Sequence, residues 1–192
     1  GELASVAVDV PVLAVDAGPG VRSVATEDAA AAIEAVLGGD LERTARRTFA
    51  VDVGAERHDA VFDVTLVTTE PARISEYCVA AGGEQVAQFR ADGVVVATPA
   101  GSHGYARAAG GPVVAGTAPV AAVVPIAPFA IDTNHWVVSD EDVVLSVERD
   151  EGSVSLLVDD RAVGTVDPAA PVRLSPGHEL VLLCPPGSTP PW

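Results

Sequence analysis

Apolar positions in this chain fall in short runs broken by glycine, proline and acidic turns. They seldom recur at helical spacing, and many runs are β-branched, so they predict strands. The expected strands lie at 48–53, 60–67, 74–80, 85–90, 93–97, 120–125, 136–139, 143–148, 153–158, 162–166 and 179–184. Alternation is clearest at 143–148, where Val143, Leu145 and Val147 share one face. Closely spaced strands with turn signals between them predict an antiparallel sandwich or a related β-domain.

The first forty residues differ. The apolar run 10–15 ends at Asp16-Ala17-Gly18-Pro19-Gly20 and predicts a buried strand and a turn. Thr26 then stands as the N-cap of a helix. Glu27 and Asp28 sit in its first turn, Ile33, Val36 and Leu37 on one face, and Gly38-Gly39 at its end. Alone, this βα unit has too little surface for a core, and it reads as the end of a larger α/β domain. The chain is therefore expected to be mainly β with a small α/β element: a βα remnant over 1–40 and a β-rich domain over 41–192. The tail from Pro185 is proline-rich and reads as irregular.

Composition narrows the function. The chain has 192 residues and a formal net charge of -16. All its basic residues apart from histidine are arginines, 11 in number, against 27 acids. A basic footprint for nucleic acid is missing. The abundant Val, Leu and Ile argue against disorder. No apolar run approaches the ~18 residues of a membrane span, and no secretory leader pattern opens the chain; a cytoplasmic protein is expected. The acidic surface resembles that of salt-in halophilic proteins, whose self-repulsion is screened at high ionic strength. Cys78 and Cys184 lack metal-ligand spacing and read as two buried free thiols. His58, His103, His135 and His178 do not cluster, and no metal site is expected. The chain holds no methionine and begins at Gly1: either an initiator preceded Gly1 or the chain is part of something longer.

The stretch from Asp92 to Pro112, DGVVVATPAGSHGYARAAGGP, is the most informative. Its Val94-Val95-Val96-Ala97 run reads as a buried strand and Thr98-Pro99-Ala100-Gly101 as a turn. Ser102 can N-cap a short helix whose free N–H groups face that turn. Such a strand-turn-helix leaves a side-chain-poor pocket in which a flat or anionic ligand approaches the backbone.

This order resembles the signature of the NAD kinase family, D-G-(apolar)4-T-P-T-G-S-T-A-Y-x-x-S-A-G-G-P. Asp92, Gly93, Thr98, Pro99, Gly101, Ser102, Tyr105, Ala109, Gly110, Gly111 and Pro112 match, while Ala100, His103, Gly104 and Ala108 depart. Elsewhere, Pro11 to Gly18 is similar to the family's P-V-L-G-I-N-x-G, with Asp16 in place of asparagine. Ala60 to Val64 is similar to A-L-N-E-V, with Phe62 for asparagine and Asp63 for glutamate. Pro125 to Phe129 resembles P-I-x-P-H, and Asp159-Asp160-Arg161 resembles D-G-Q. The family's G-G-D-G loop, whose aspartate is the usual candidate base, has no counterpart.

The resemblance implies an NAD kinase-like β-sandwich, the C-terminal part of such a protein, and a dinucleotide site at Asp63, Asp92, Ser102, His103, Gly104 and Tyr105. Asp92 would reach ligand held by a neighbouring subunit; otherwise it is a turn acid. Tyr105 would pack beside the nicotinamide or ribose. His103 would approach a phosphate or ribose, although a lone histidine at a helix start is ordinarily a solvated cap. Asp63 would touch ligand or face solvent. Phe62 can stack but cannot make an amide's hydrogen bonds. The acid runs Asp140-Glu141-Asp142 and Asp150-Glu151 read as solvated turns. The function implied is phosphoryl transfer from ATP or polyphosphate, with magnesium, to the 2′-hydroxyl of the adenosine ribose of NAD, giving NADP, in a homodimer or homotetramer. The alternative is a non-catalytic module that binds NAD or NADP.

Overall fold

Two six-stranded antiparallel sheets face each other in the computed structural model, which describes residues 10–70, 73–130, 133–150, 152–168 and 170–189. From edge to edge, the first sheet runs β2 (Glu56–Ala60), β1 (Glu42–Val53), β12 (Val172–Cys184), β9 (Val143–Arg149), β4 (Ser75–Ala81) and β5 (Glu84–Ala91). The second runs β11 (Arg161–Thr165), β10 (Val154–Val158), β3 (Asp63–Thr68), β6 (Gly93–Ala97), β7 (Val120–Ile126) and β8 (Trp136–Ser139). The mainly β reading holds, and the sandwich is preceded by a short helical unit.

Alternation explains the inner faces. Val143, Leu145 and Val147 of β9 are buried, as are Val154, Leu156 and Val158 of β10. They meet Phe49, Val51, Tyr77, Val79 and Leu174 in the main core. Burying each valine side chain contributes about 1.5–3 kcal/mol. Phe89 stacks on Trp136 with ring centroids 5.8 Å apart, linking the β5 and β8 edges of the two sheets.

β6 breaks the alternation because all five of its residues are buried. Val94 and Val96 face the main core, whereas Val95 and Ala97, with their β7 neighbours Val124 and Ala122, pack under Ala106 and Val114. A third layer, the segment 101–118 with the short helix α2 (Tyr105–Ala108), thus covers β6 and β7. A strand covered on both faces reads as an unbroken apolar run.

Several local expectations are corrected. The run 10–15 is not a strand: it makes single parallel bridges, Val12 to Leu182 and Val15 to Val24. Pro11 has no N–H to donate, and Asp16 turns the chain away at φ 46. Val10 and Val15 are exposed, while Ala14 and Val21 pack on Leu180, Leu182 and Cys184. The helix α1 (Ala29–Gly38) follows a 3-10 turn, Thr26–Asp28, whose N-cap is Ala25. Thr26 spends its hydroxyl and N–H on the Asp16 carboxylate. Ile33 and Leu37 lie on the outside of α1, and Ala32 is its buried residue. The polar strand β2 was not expected; it pairs with β1 across a hairpin at Gly54, φ 57. The expected strand 60–67 is interrupted at Val61-Phe62. Asp140 is no solvated acid: it is buried, 2.5 Å from Arg47 Nε. Glu151 of the other acid run lies outside the described residues. Cys184 is buried as expected but Cys78 only partly, and both are free thiols.

Candidate functional site

The C-terminal end of β6 meets the β10–β11 hairpin and the segment 12–19 at a cleft of about 590 Å³. Thr98, 1% exposed, anchors the turn whose Ala100 and Gly101 line the cleft. The Thr98 hydroxyl donates to the Val61 carbonyl at 2.8 Å and accepts the Gly101 N–H at 3.1 Å. The Thr98 N–H donates to the Phe62 carbonyl at 2.9 Å. Gly101 then lies flat on the backbone of Phe62: an added Cβ would stand 1.9 Å from the Phe62 carbonyl oxygen. Gly20 packs against the same turn, where a Cβ would meet the Ala100 carbonyl oxygen at 2.2 Å.

Asp159 grips the same peptide stretch from below. Its carboxylate accepts the N–H groups of Val61 at 2.8 Å, Phe62 at 2.6 Å and Asp63 at 3.0 Å. Its own N–H returns to the Asp63 carbonyl at 3.0 Å. Asp159 and Asp160 form the two-residue turn of the hairpin with φ 47 and φ 70, a conformation that suits Asn, Asp or Gly. The strand break at Val61-Phe62 is therefore filled by side chains, which satisfy donors a ladder would otherwise take.

Charge in the cleft is one-sided. Asp16, Asp63, Asp159 and Asp160 line it together with Phe62 and Tyr105, and no Arg, Lys or His is among the described lining residues. Burial first, then the Asp159 charge, push the Asp63 carboxyl up to about 6, opposed by the Thr65 hydroxyl bond. Burial pushes Asp159 up as well, opposed by its three amide donors and by Arg161. Among the described residues no three His, Cys, Asp or Glu side chains are grouped to hold a metal ion.

The structure brings together Asp63, Gly104 and Tyr105, all on the cleft wall. Tyr105 is 47% exposed. Ser102 and His103 lie outside the lining. The expectation that Ser102 caps a helix is corrected: α2 starts at Tyr105, and the fully buried Ser102 hydroxyl donates to the Pro99 carbonyl at 2.7 Å and accepts the Val114 N–H at 2.9 Å. His103 is buried, 7% exposed, rather than a solvated cap; burial, then Arg107, hold its imidazole below the ordinary histidine range. Asp92 is exposed at the opposite end of β6, about 16 Å away along a five-residue strand. Sequence reasoning did not single out Asp159 and Asp160 as cleft residues. Their signal was the acid pair between two strands, a two-residue hairpin turn.

The sequence profile of the ATP-NAD kinase C-terminal domain matches residues 62–184. An NAD kinase of Methanothermobacter thermautotrophicus is 33% identical over 138 residues, covering 71% of this chain and 49% of that protein. An NAD kinase of Methanopyrus kandleri is 30% identical over 172 residues, covering 88% of this chain and 62% of that protein. The chain thus spans about half the length of the first of these curated relatives and under two thirds of the second. Among solved structures, yeast NADH kinase complexed with NADH shares the fold, with TM-score 0.79 at 20% identity, covering 91% of this chain and 54% of that one. An NAD kinase from Archaeoglobus fulgidus in complex with ATP has TM-score 0.71 at 26% identity, covering 90% of this chain and 68% of that one.

Proposed function

Because this chain belongs to the NAD kinase family through its C-terminal domain, we propose that its cleft holds the dinucleotide that accepts the phosphoryl group. The observation that carries this reading is the convergence of the signature on one cavity. Gly101, Gly104 and Tyr105 come from the stretch resembling the family signature, Phe62-Asp63 from the Asn-Glu position, and Asp159-Asp160 from the D-G position. Phe62 and Tyr105 offer aromatic surface to a flat ring. Asp63 offers carboxylate oxygens to ribose hydroxyls.

The reaction is phosphoryl transfer to the 2′-hydroxyl of the adenosine ribose of NAD, with ATP or polyphosphate as donor. Such transfer needs donors that hold the phosphates, a metal ion that bridges them and a base at the hydroxyl. This cleft supplies the acceptor side. Its described lining has no cation to hold a triphosphate, and the described residues offer no grouping for magnesium. Asp63 is the acid placed nearest the role of a base, with a carboxyl held up near 6. The missing cation in the described lining favours a second reading, a non-catalytic module that binds the dinucleotide without turning it over.

Ser102 and His103 serve the site from behind its wall, and Asp92 serves the cleft of a second copy in a homodimer or homotetramer. The 1–40 unit belongs with an α/β half and 41–192 forms the dinucleotide-binding domain, in a cytoplasmic setting. Titrating the purified chain with NAD, and assaying NADP formation with ATP and magnesium, tests both readings. NAD binding with little or no NADP formed is expected. Robust turnover overturns the module reading, and failure to bind NAD overturns both.

A further inference from the structure

We propose that the aspartates of the cleft select against phosphate on the ribose, so that NAD is taken and NADP is turned away. This rests on the reading of the cleft as the dinucleotide site. Asp16, Asp63, Asp159 and Asp160 line one cavity, and the described lining residues hold no Arg, Lys or His. A ribose 2′-phosphate brings a charge of about −1.5 to −2 into that space. Like charges repel, and because Asp16 and Asp160 are exposed their repulsion is modest and sensitive to salt. Ribose hydroxyls, in contrast, are donors, and carboxylate oxygens accept from them.

The positions of the acids strengthen the case. Asp16 has φ 46 and Asp160 φ 70. Both are left-handed sites that Asn or Gly fills at least as easily as Asp. At these two positions the family signature carries the uncharged asparagine and glycine. This chain therefore departs from it twice in the same direction, and each departure puts an acidic residue in the lining of the same cavity. Backbone geometry demands neither charge. The apolar side chains Leu13, Val15 and Phe62 complete a wall suited to an uncharged ring.

The test compares the parent with the double variant Asp16→Asn/Asp160→Gly. Asn keeps an acceptor for the Thr26 N–H and hydroxyl, and Gly suits φ 70, so the variant is expected to melt near the parent. Calorimetric titrations use two matched pairs, NAD against NADP and adenosine against adenosine 2′-phosphate. Each is run at low and at multimolar KCl. In the parent at low salt, the phosphorylated member of each pair is expected to bind at least tenfold more weakly, in the order of magnitude of one repelled charge. The gap is expected to narrow at high salt, where screening shortens the reach of each charge, and to shrink at least threefold in the variant. NADP binding as tightly as NAD in the parent overturns the charge argument while leaving the site intact. A gap that stays unchanged in the double variant overturns it too, since these carboxylates would not be its source. A parent that binds neither NAD nor adenosine removes the site, and the proposal with it.

Discussion

Replacing Gly101 by alanine places a methyl group where the cleft floor has no room. The added Cβ would stand 1.9 Å from the Phe62 carbonyl oxygen, 2.4 Å from its carbonyl carbon and 2.8 Å from its Cα. All three are backbone atoms, so no rotamer change relieves the clash. The Phe62 peptide is also pinned, by Thr98 from one side and Asp159 from the other. Relief requires the turn after β6 to move away from Val61-Phe62, breaking the Thr98 bonds to Val61 and Phe62. Overpacking of this kind costs about 3 kcal/mol. For a chain of this size that lowers Tm by roughly 6–12 °C. The same substitution at Gly38, the last residue of α1, is the control. A Cβ there meets nothing within 4 Å, so Gly38→Ala is expected to stabilise by about 0.5–1 kcal/mol through lower chain entropy. Calorimetric melts of both variants beside the parent decide the matter. Gly101→Ala melting within about 1 °C of the parent would refute the close approach on which the cleft floor is built.

Asp63→Asn tests the electrostatics: its carboxyl is raised in the fold from 3.8 to about 6, so its stabilising contribution is complete below about 3.8 and lost as pH rises through about 6. The variant should therefore gain on the parent by about 2–3 kcal/mol between pH ~4 and pH ~7, and a stability difference that is flat with pH, or moves toward the parent, contradicts the assignment. Asp92→Ala is expected to keep the parent's melting temperature, because its carboxylate is exposed, yet to weaken NAD binding if a second copy's cleft uses it; light scattering that finds a monomer, or unchanged affinity, removes the shared site. With 27 acids against 11 arginines, stability should climb with KCl into the multimolar range, and a melting temperature flat across that range counts against a salt-adapted surface.

The sheets were legible because their inner residues alternate. Val143, Leu145 and Val147 announce β9, and the β-branched runs at Gly93–Ala97 and Trp136–Ser139 give β6 and β8 with their observed ends. The segment 10–15 misled because an apolar run reports burial, not pairing. Ala14 does sink into a core, but Pro11 and the left-handed Asp16 leave room for single bridges only. β2 was missed because Glu-Arg-His-Asp-Ala carries no apolar pattern; as an edge strand it takes its order from the hairpin with β1. At the site, motif order pointed to Asp63, Gly104 and Tyr105. It did not separate Ser102 and His103 from them, because both side chains are buried in the 3-10 turn Gly101–His103, Ser102 on the Pro99 carbonyl and the Val114 N–H, contacts that motif order does not encode. The role of Asp159 depends on a contact with residues nearly a hundred positions earlier, which no local pattern encodes.

The most direct test of the central claim is a crystal structure of this chain grown with saturating NAD. The account predicts dinucleotide density in the cleft between the 12–19 segment, Phe62-Asp63 and Asp159-Asp160. The adenosine ribose should lie within hydrogen-bond reach of Asp63, with an aromatic contact to Tyr105. Dinucleotide seated elsewhere on the chain, or a cleft that stays empty at saturation, would contradict it.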